Sequence, residues 1–336
     1  MNNNSQCIAA EESVLDKGCN TVRVLHIIFG LIIVIMLVKV IYSYKTMSLN
    51  LHKNLLILMS NVFILYLIYA LSHISSAFLN FIVISTYINP CDCLIQVWLV
   101  YLILMPAYIY NAGSPLFHFA IMIERVLATV YVKIYEKKGK MFGVISTIIV
   151  WSLTLIFVCF VYISTSMDTE TFGHPMAYLT LTNKSNSQIL LYTHSITIFL
   201  VLCIAVADYY LIYRNEKIKF IFSMTSYSLS QSYQSKQNLL IMRIIFPLDF
   251  SYSFVFVLYS ILSTFIRSKR SEYGQLKYIR AIDAINLLLF VHAIITLILY
   301  DYFLKKQNDL NKNFMKKMQK NISSEIYFKN LNSAWK

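Results

Sequence analysis

Residues 94–122 read LIQVWLVYLILMPAYIYNAGSPLFHFAIM and contain no charged side chain. The run is longer than the roughly 20 residues that a helix needs to cross a hydrocarbon core of about 30 Å. Because hydrocarbon offers the backbone no hydrogen-bonding partners, a chain that crosses it is expected to do so as an α-helix. The stretch therefore predicts a membrane-spanning helix.

Six further runs have the same character. The seven predicted spans are Val24–Tyr44, Leu55–Leu79, Leu94–Met122, Phe142–Ser164, Ile189–Tyr213, Ile241–Ile266 and Ala281–Phe303. The charged residues within them are Lys39, Asp208, Arg243, Asp249, Asp283 and Asp301. Of the 336 residues, 58% are apolar and 13% are charged, which is too few charges to cover the surface of a soluble domain. The sequence predicts an all-α membrane protein, a seven-transmembrane helix bundle.

Basic residues predict how this bundle sits in the membrane. Most Lys and Arg residues, 19 of 29, fall in the intervals 45–54, 123–141, 214–240 and 304–336. Cytoplasmic loops are enriched in these residues, so we expect the N-terminus outside and the C-terminus in the cytoplasm. Residues 1–23 then form an extracellular segment, 24–303 the bundle and 304–336 a basic tail. We expect the tail to be an amphipathic helix on the anionic inner leaflet rather than a nucleic-acid-binding segment.

Residues on the predicted outer side are candidates for covalent modification. Disulfides persist outside the cytosol, and the candidate cysteines there are Cys7, Cys19, Cys91 and Cys93. Three connectivities are possible, and we favour a bridge from Cys19 to Cys91 or Cys93, which pins the N-terminal segment over the bundle. The sequons at Asn3 and Asn183 are predicted to be glycosylated.

A polar stripe follows the third span. Residues at helical spacing along it are Leu104, Tyr108, Asn111, Ser114, His118 and Arg125. Polar groups are costly in lipid, so this face is predicted to point into the bundle. The alternative role for its polar members is simple hydrogen bonding between helices.

The spans together predict two functional zones. The outer half forms an aromatic cavity suited to a small, largely apolar ligand, lined by Tyr101, Tyr108, Asn111, His194, Phe256, Tyr259 and Ser263. Ordinary aromatic packing is the alternative interpretation. The inner half carries a predicted switch and coupling face that includes an ion-pair latch, with Glu124, Arg125, Asp208, Arg243, Pro247 and Asp249 as candidates and His118 nearby.

The third outer loop is basic at Arg267, Lys269 and Arg270, which topology does not explain. It either meets an anionic ligand group or is a solvated loop, and we favour the solvated loop. The sequence has no metal-binding motif, no Gly-rich phosphate loop and no cluster of nucleophile and base. We therefore expect no metal, no cofactor and no enzymatic activity.

Two short segments resemble a known family. The first is Ile123-Glu124-Arg125-Val126-Leu127-Ala128-Thr129, followed by Tyr135-Glu136, and the second runs from Leu229 to Asn238 as LSQSYQSKQN. They are similar to the end of helix three, and to the segment before helix six, of nematode serpentine chemoreceptors of class alpha and class alpha-beta. The chain departs from the second signature at Ser232, which replaces Arg, and at Gln237, which replaces Glu.

The resemblance implies a G-protein-coupled chemosensory receptor in the plasma membrane of nematode sensory neurons, with cilia as the expected site. Its partners are then a small-molecule ligand, a heterotrimeric G protein and the lipid bilayer, with no nucleic acid. The acid–arginine pair Glu124-Arg125 corresponds by position to the G-protein face. A ligand-gated channel or transporter is the alternative, which the odd number of spans and the lack of internal repeats disfavour.

Overall fold

The structure, a computed structural model, describes residues 3–46, 52–131, 139–182, 184–224 and 229–334. Among these residues the α-helices are α1 (Asn3–Leu15), α2 (Lys17–Thr46), α3 (Lys53–Thr86), α4 (Val97–Val130), α5 (Met141–Ser166), α6 (Thr169–Phe172), α7 (Lys184–Met224), α8 (Leu229–Ser268) and α9 (Arg270–Ala334). A 3-10 turn at Pro90–Cys93 joins α3 to α4. An isolated β-bridge pairs Ile95 with Met176.

Seven helices in the described part of the chain are long and apolar enough to cross a membrane, namely α2, α3, α4, α5, α7, α8 and α9. The predicted seven-span bundle is confirmed. The third spanning helix, α4, continues to Val130, eight residues past its predicted end at Met122. The apolar run underestimates the helix because Glu124 and Arg125 continue it although they are charged.

The bundle turns apolar side chains outward as well as inward. Ile35, Ile148 and Phe199 are 66%, 61% and 70% exposed, as expected of side chains that face hydrocarbon. The interior holds aliphatic and aromatic side chains, such as Leu65 and the fully buried Tyr66 and Tyr110, together with buried polar groups. A soluble helical protein differs on the outside, where its helices carry charged residues.

Polar contacts tie α3 to its neighbours inside the bundle. The Trp151 indole donates to Asn61 Oδ1 at 2.8 Å, and Ser72 Oγ donates to the Ile103 carbonyl at 2.5 Å. Gly143 lies so close to α3 that a Cβ atom there would be 2.9 Å from Asn54 Cα. Small residues of this kind let membrane helices approach each other closely.

The N-terminal helix α1 closes one end of the bundle, which we call the disulfide end. Cys7 of α1 is bonded to Cys91 of the 3-10 turn. Asp16, between α1 and α2, forms an ion pair with Arg280 of α9. The N-terminal segment is therefore attached to both the α3–α4 connection and the last spanning helix.

The favoured bridge from Cys19 was wrong. Cys19 and Cys93 are free and buried. Cys19 lies in the first turn of α2, where its backbone N–H donates to Asp16 Oδ1 at 2.6 Å. The helix holds it inside the bundle, whereas Cys7 lies on a separate helix that packs against the 3-10 turn.

Helix α9 extends from the disulfide end to the opposite end, which we call the tail end. Its backbone leaves helical geometry at Gly274, where φ is 71°. It then runs past the spanning part, Arg270–Lys306, to Ala334. The tail is helical, in line with the sequence prediction, and its placement on a leaflet stays a prediction.

We expect Cys7→Ser to destabilise the protein, because the bridge joins residues 84 positions apart. A disulfide typically contributes about 2–4 kcal/mol, mainly by constraining the unfolded chain. The measurement is the thermal unfolding midpoint of the detergent-purified protein. Cys159→Ser, at a free and exposed cysteine, is the matched control and should change it little; equal midpoints for the two variants would contradict the assignment.

Candidate ligand cavity and coupling face

A cavity lies among the spanning helices near the disulfide end. Its volume is about 100 Å³, several times the roughly 10–15 Å³ that one water molecule needs. Five of the seven residues predicted to bind ligand line it: Tyr108, Asn111, His194, Phe256 and Tyr259. Helical spacing brings them together, since α4 and α8 each present one face to the interior.

Contacts among these residues join three helices. Asn111 of α4 donates to the Tyr259 hydroxyl of α8 at 3.5 Å. The His194 ring of α7 meets the Tyr259 ring edge-on at 5.7 Å between centroids. Tyr259 is therefore the point at which α4, α7 and α8 meet beside the cavity.

Ser263 and Tyr101 do not line the cavity. Ser263 Oγ lies 3.5 Å from His194 Nε2, so it contacts a lining residue from behind. Tyr101 packs its ring against Tyr162 at 5.0 Å and Phe172 at 5.9 Å. Near the disulfide end α5 and α6 cover this part of the α4 face, and periodicity along α4 alone does not reveal that cover.

The lining also contains ionisable residues that the predicted set lacks. Arg23, Asp283 and Arg267 reach the cavity, together with His26 and His73. For His26, His73 and Asp283 the sequence carries a usable signal, because ionisable residues within spans mark functional sites by default; Arg23 and Arg267 lie just outside the predicted spans. The prediction of a solvated outer loop was wrong for Arg267, whereas Lys269 does pair with Glu272 at the surface.

An aromatic column leads from the cavity toward the tail end. The ring centroids of Tyr259 and Phe256 are 5.8 Å apart, and those of Phe256 and Tyr252 are 4.8 Å apart. Tyr252 then stacks on His118 of α4 at 3.8 Å, with the two rings within 10° of parallel. The column connects the cavity wall to polar groups deeper in the bundle.

Below the column, α4, α7 and α8 meet at a buried polar cluster. His118 Nδ1 lies 2.6 Å from Asp249 Oδ1, and the Asp208 carboxyl group of α7 interacts with that of Asp249. All three side chains are almost completely buried. No group of three His, Cys, Asp or Glu residues within the described ranges is arranged to hold a metal ion.

At the tail end, Arg125 forms a double ion pair with the neighbouring Glu124 through Nε and Nη2. Glu124 is 0% exposed and Arg125 is 1% exposed. His52, before α3, lies 3.8 Å from Glu124. The charges therefore form a buried cluster rather than extending to the membrane surface.

Some of the predicted site residues, or their side chains, lie outside the part of the chain that the structure describes. The side chain of Arg243 and those of the 229–238 signature lie outside the described residues. So do Asn183 and the side chain of Asn3. Pro247 lies within α8, where a proline removes one backbone donor and can kink the helix.

A bundle of seven membrane helices with a cavity near one end and a buried acid–arginine pair at the other has the layout of a G-protein-coupled receptor. The family described as serpentine type 7TM GPCR receptor class ab chemoreceptor matches residues 10–336. The chain belongs to this family, which is a family of chemoreceptors and not of enzymes. No curated protein matches the chain.

Removal of only one member of the Glu124–Arg125 pair should strand a buried charge. Arg125→Met and Glu124→Gln are each expected to cost about 3–5 kcal/mol. The double variant leaves no unpaired charge, so its loss should be clearly smaller than the sum of the two. Thermal unfolding of the purified single and double variants measures this coupling; additive losses would show that the pair does not stabilise the fold.

Proposed function

We propose that this chain is a G-protein-coupled chemosensory receptor that binds a small, largely apolar ligand in the cavity and activates a heterotrimeric G protein at the tail end. Membership of the chemoreceptor family carries this proposal. A ligand can shift the receptor between two states only by the difference in its affinity for them. A cavity whose wall is shared by several helices is suited to such a difference.

The aromatic column supports a connection between the two ends. Ligand contact with Tyr259 or Phe256 bears directly on Tyr252 and His118, since each ring packs on the next. His118 in turn contacts Asp249. We propose that the switch residues Asp208, Pro247 and Asp249 pass this displacement to Glu124 and Arg125, with Arg243 as a further member.

The disulfide supports an orientation with the N-terminus outside and the C-terminus in the cytoplasm. Disulfides persist in oxidising compartments, and Cys7–Cys91 lies at the N-terminal end of the bundle. The basic residues of 304–336 agree with a cytoplasmic tail. In this orientation Asn3 and Asn183 are available for glycosylation, and the receptor occupies the plasma membrane, with sensory cilia as its proposed location.

A ligand screen in cells with a G-protein readout tests the ligand site. For any agonist found, Tyr259→Phe and Asn111→Ala should each reduce potency about 3- to 10-fold, because each removes one polar contact at the cavity wall. Tyr101→Phe is the matched control, since its hydroxyl is buried away from the cavity. If agonist potency is unchanged in both cavity variants, the ligand binds outside this cavity.

Coupling is tested with Glu124→Gln/Arg125→Met, which leaves no unpaired charge. We expect this double variant to reach the cell surface and to bind agonist, yet to activate G protein at least about tenfold less, because it lacks the charged groups of the coupling face. Surface labelling normalises the response. A full G-protein response of the double variant would exclude a coupling role for the pair. In a separate measurement, agonist-evoked current or uptake in cells without G protein would favour a channel or transporter.

A further inference from the structure

Arg267, in the last turn of α8, extends its guanidinium group to the cavity wall. Its Nη1 donates to the Thr182 hydroxyl at 3.0 Å and to the Tyr278 hydroxyl at 3.3 Å. Its Nε donates to Ser263 Oγ at 3.3 Å. These contacts fix the position of the charge, and all of the acceptors are neutral.

Within the described part of the chain, the positive charge of Arg267 has only neutral hydrogen-bonding partners. Among the residues that the structure describes, no carboxylate lies within ion-pair distance of it. The carboxyl group of Asp283 in the lining is close enough to interact electrostatically with Arg23. A half-buried guanidinium without a counter-charge beside a cavity is costly to maintain, so an anion that enters the cavity gains its full attraction.

The remainder of the lining limits what the anion can carry. Leu104, Phe157, Leu190 and Phe256 contribute apolar walls. The cavity of about 100 Å³ has room for a small organic molecule. The shape and polarity fit a molecule with one charged end and one hydrocarbon end.

We infer that the cavity binds small carboxylic acids, with the carboxylate on Arg267 and the hydrocarbon chain directed toward Phe256. This inference rests on the proposed function and gives the chemical class of its ligand. Nε and Nη1 of Arg267 already donate to hydroxyls, so Nη2 is the nitrogen that remains to bind a carboxylate oxygen. The Thr182 hydroxyl, which accepts from Nη1, is placed to donate its own proton to the same carboxylate.

The test is direct binding to the purified receptor in lipid nanodiscs at neutral pH, without G protein. The probes are butanoic, hexanoic and octanoic acid, with hexan-1-ol and hexylamine as matched neutral and cationic molecules. Ligand-induced rise of the unfolding midpoint reports binding. We expect the acids, and neither the alcohol nor the amine, to stabilise the receptor.

Substitutions then locate the carboxylate. Arg267→Gln should weaken hexanoate binding about 10- to 100-fold, and Arg267→Lys should weaken it less, because the charge remains without the planar fork. Arg270→Gln is the matched control: Arg270 bonds Gln275 and the Thr182 carbonyl and stacks on Tyr278, outside the cavity lining. It should change affinity less than about 3-fold.

Three results would overturn the inference: stabilisation by hexan-1-ol equal to that by hexanoate, equal losses in Arg267→Gln and Arg270→Gln, or no stabilisation by any acid. If Arg267→Gln fails to fold, the comparison of Arg267→Lys with Arg270→Gln decides instead. The inference and the proposed function fail separately. Acid binding without G-protein activation contradicts only the function, and activation by neutral agonists that ignore Arg267 contradicts only the inference.

Discussion

Hydrocarbon neither accepts hydrogen bonds nor solvates charge, and this constraint determines where the polar groups of the bundle lie. Asp301 of α9 is an example. Lys39 Nζ and Lys305 Nζ lie 3.2 and 2.8 Å from its Oδ2, and Ser43 Oγ donates to its Oδ1 at 2.8 Å. The same rule brings His118 against Asp249 and Arg125 against Glu124. Asp301, Asp249 and Glu124 each have a partner from the protein, whereas the partners of Arg267 among the described residues are neutral. The interior faces of the helices therefore hold polar clusters, while the outer faces hold aliphatic side chains.

The cavity follows from the same arrangement. Aromatic rings and short polar side chains face one another near the disulfide end, but their shapes do not fill the space between the seven spanning helices. Toward the tail end, the rings of Tyr252 and His118 stack closely and the space closes. The bundle is thus loosely filled near the disulfide end and closely packed where His118 and Asp249 join α4 to α8.

Sequence reasoning succeeds where a feature depends on one helix. Apolar runs give the spans, and helical spacing gives the interior face that carries Asn111 and His118. Sequence reasoning fails where segments that are distant in the sequence come into contact. The Cys7–Cys91 pairing depends on how α1 lies across the bundle, and the displacement of Tyr101 from the cavity depends on the cover by α5 and α6. The charge of Arg267 favours a solvated loop when only the sequence is considered. In the structure α8 continues through this residue and directs its side chain to the cavity.

The position of the His118–Asp249 contact limits how α8 can move. The contact joins α4 to α8 at 2.6 Å, and the Asp208 carboxyl group adds α7. Any rotation of α8 about Pro247 must either break this contact or carry α4 with it, because packed interiors switch between discrete arrangements rather than deform continuously. Since Glu124 and Arg125 lie on the same α4 helix as His118, a movement that carries α4 also moves the acid–arginine pair. Under the proposed switch, a ligand that shifts α8 from the cavity wall acts on the tail end through the covalent continuity of α4 as well as through the aromatic column.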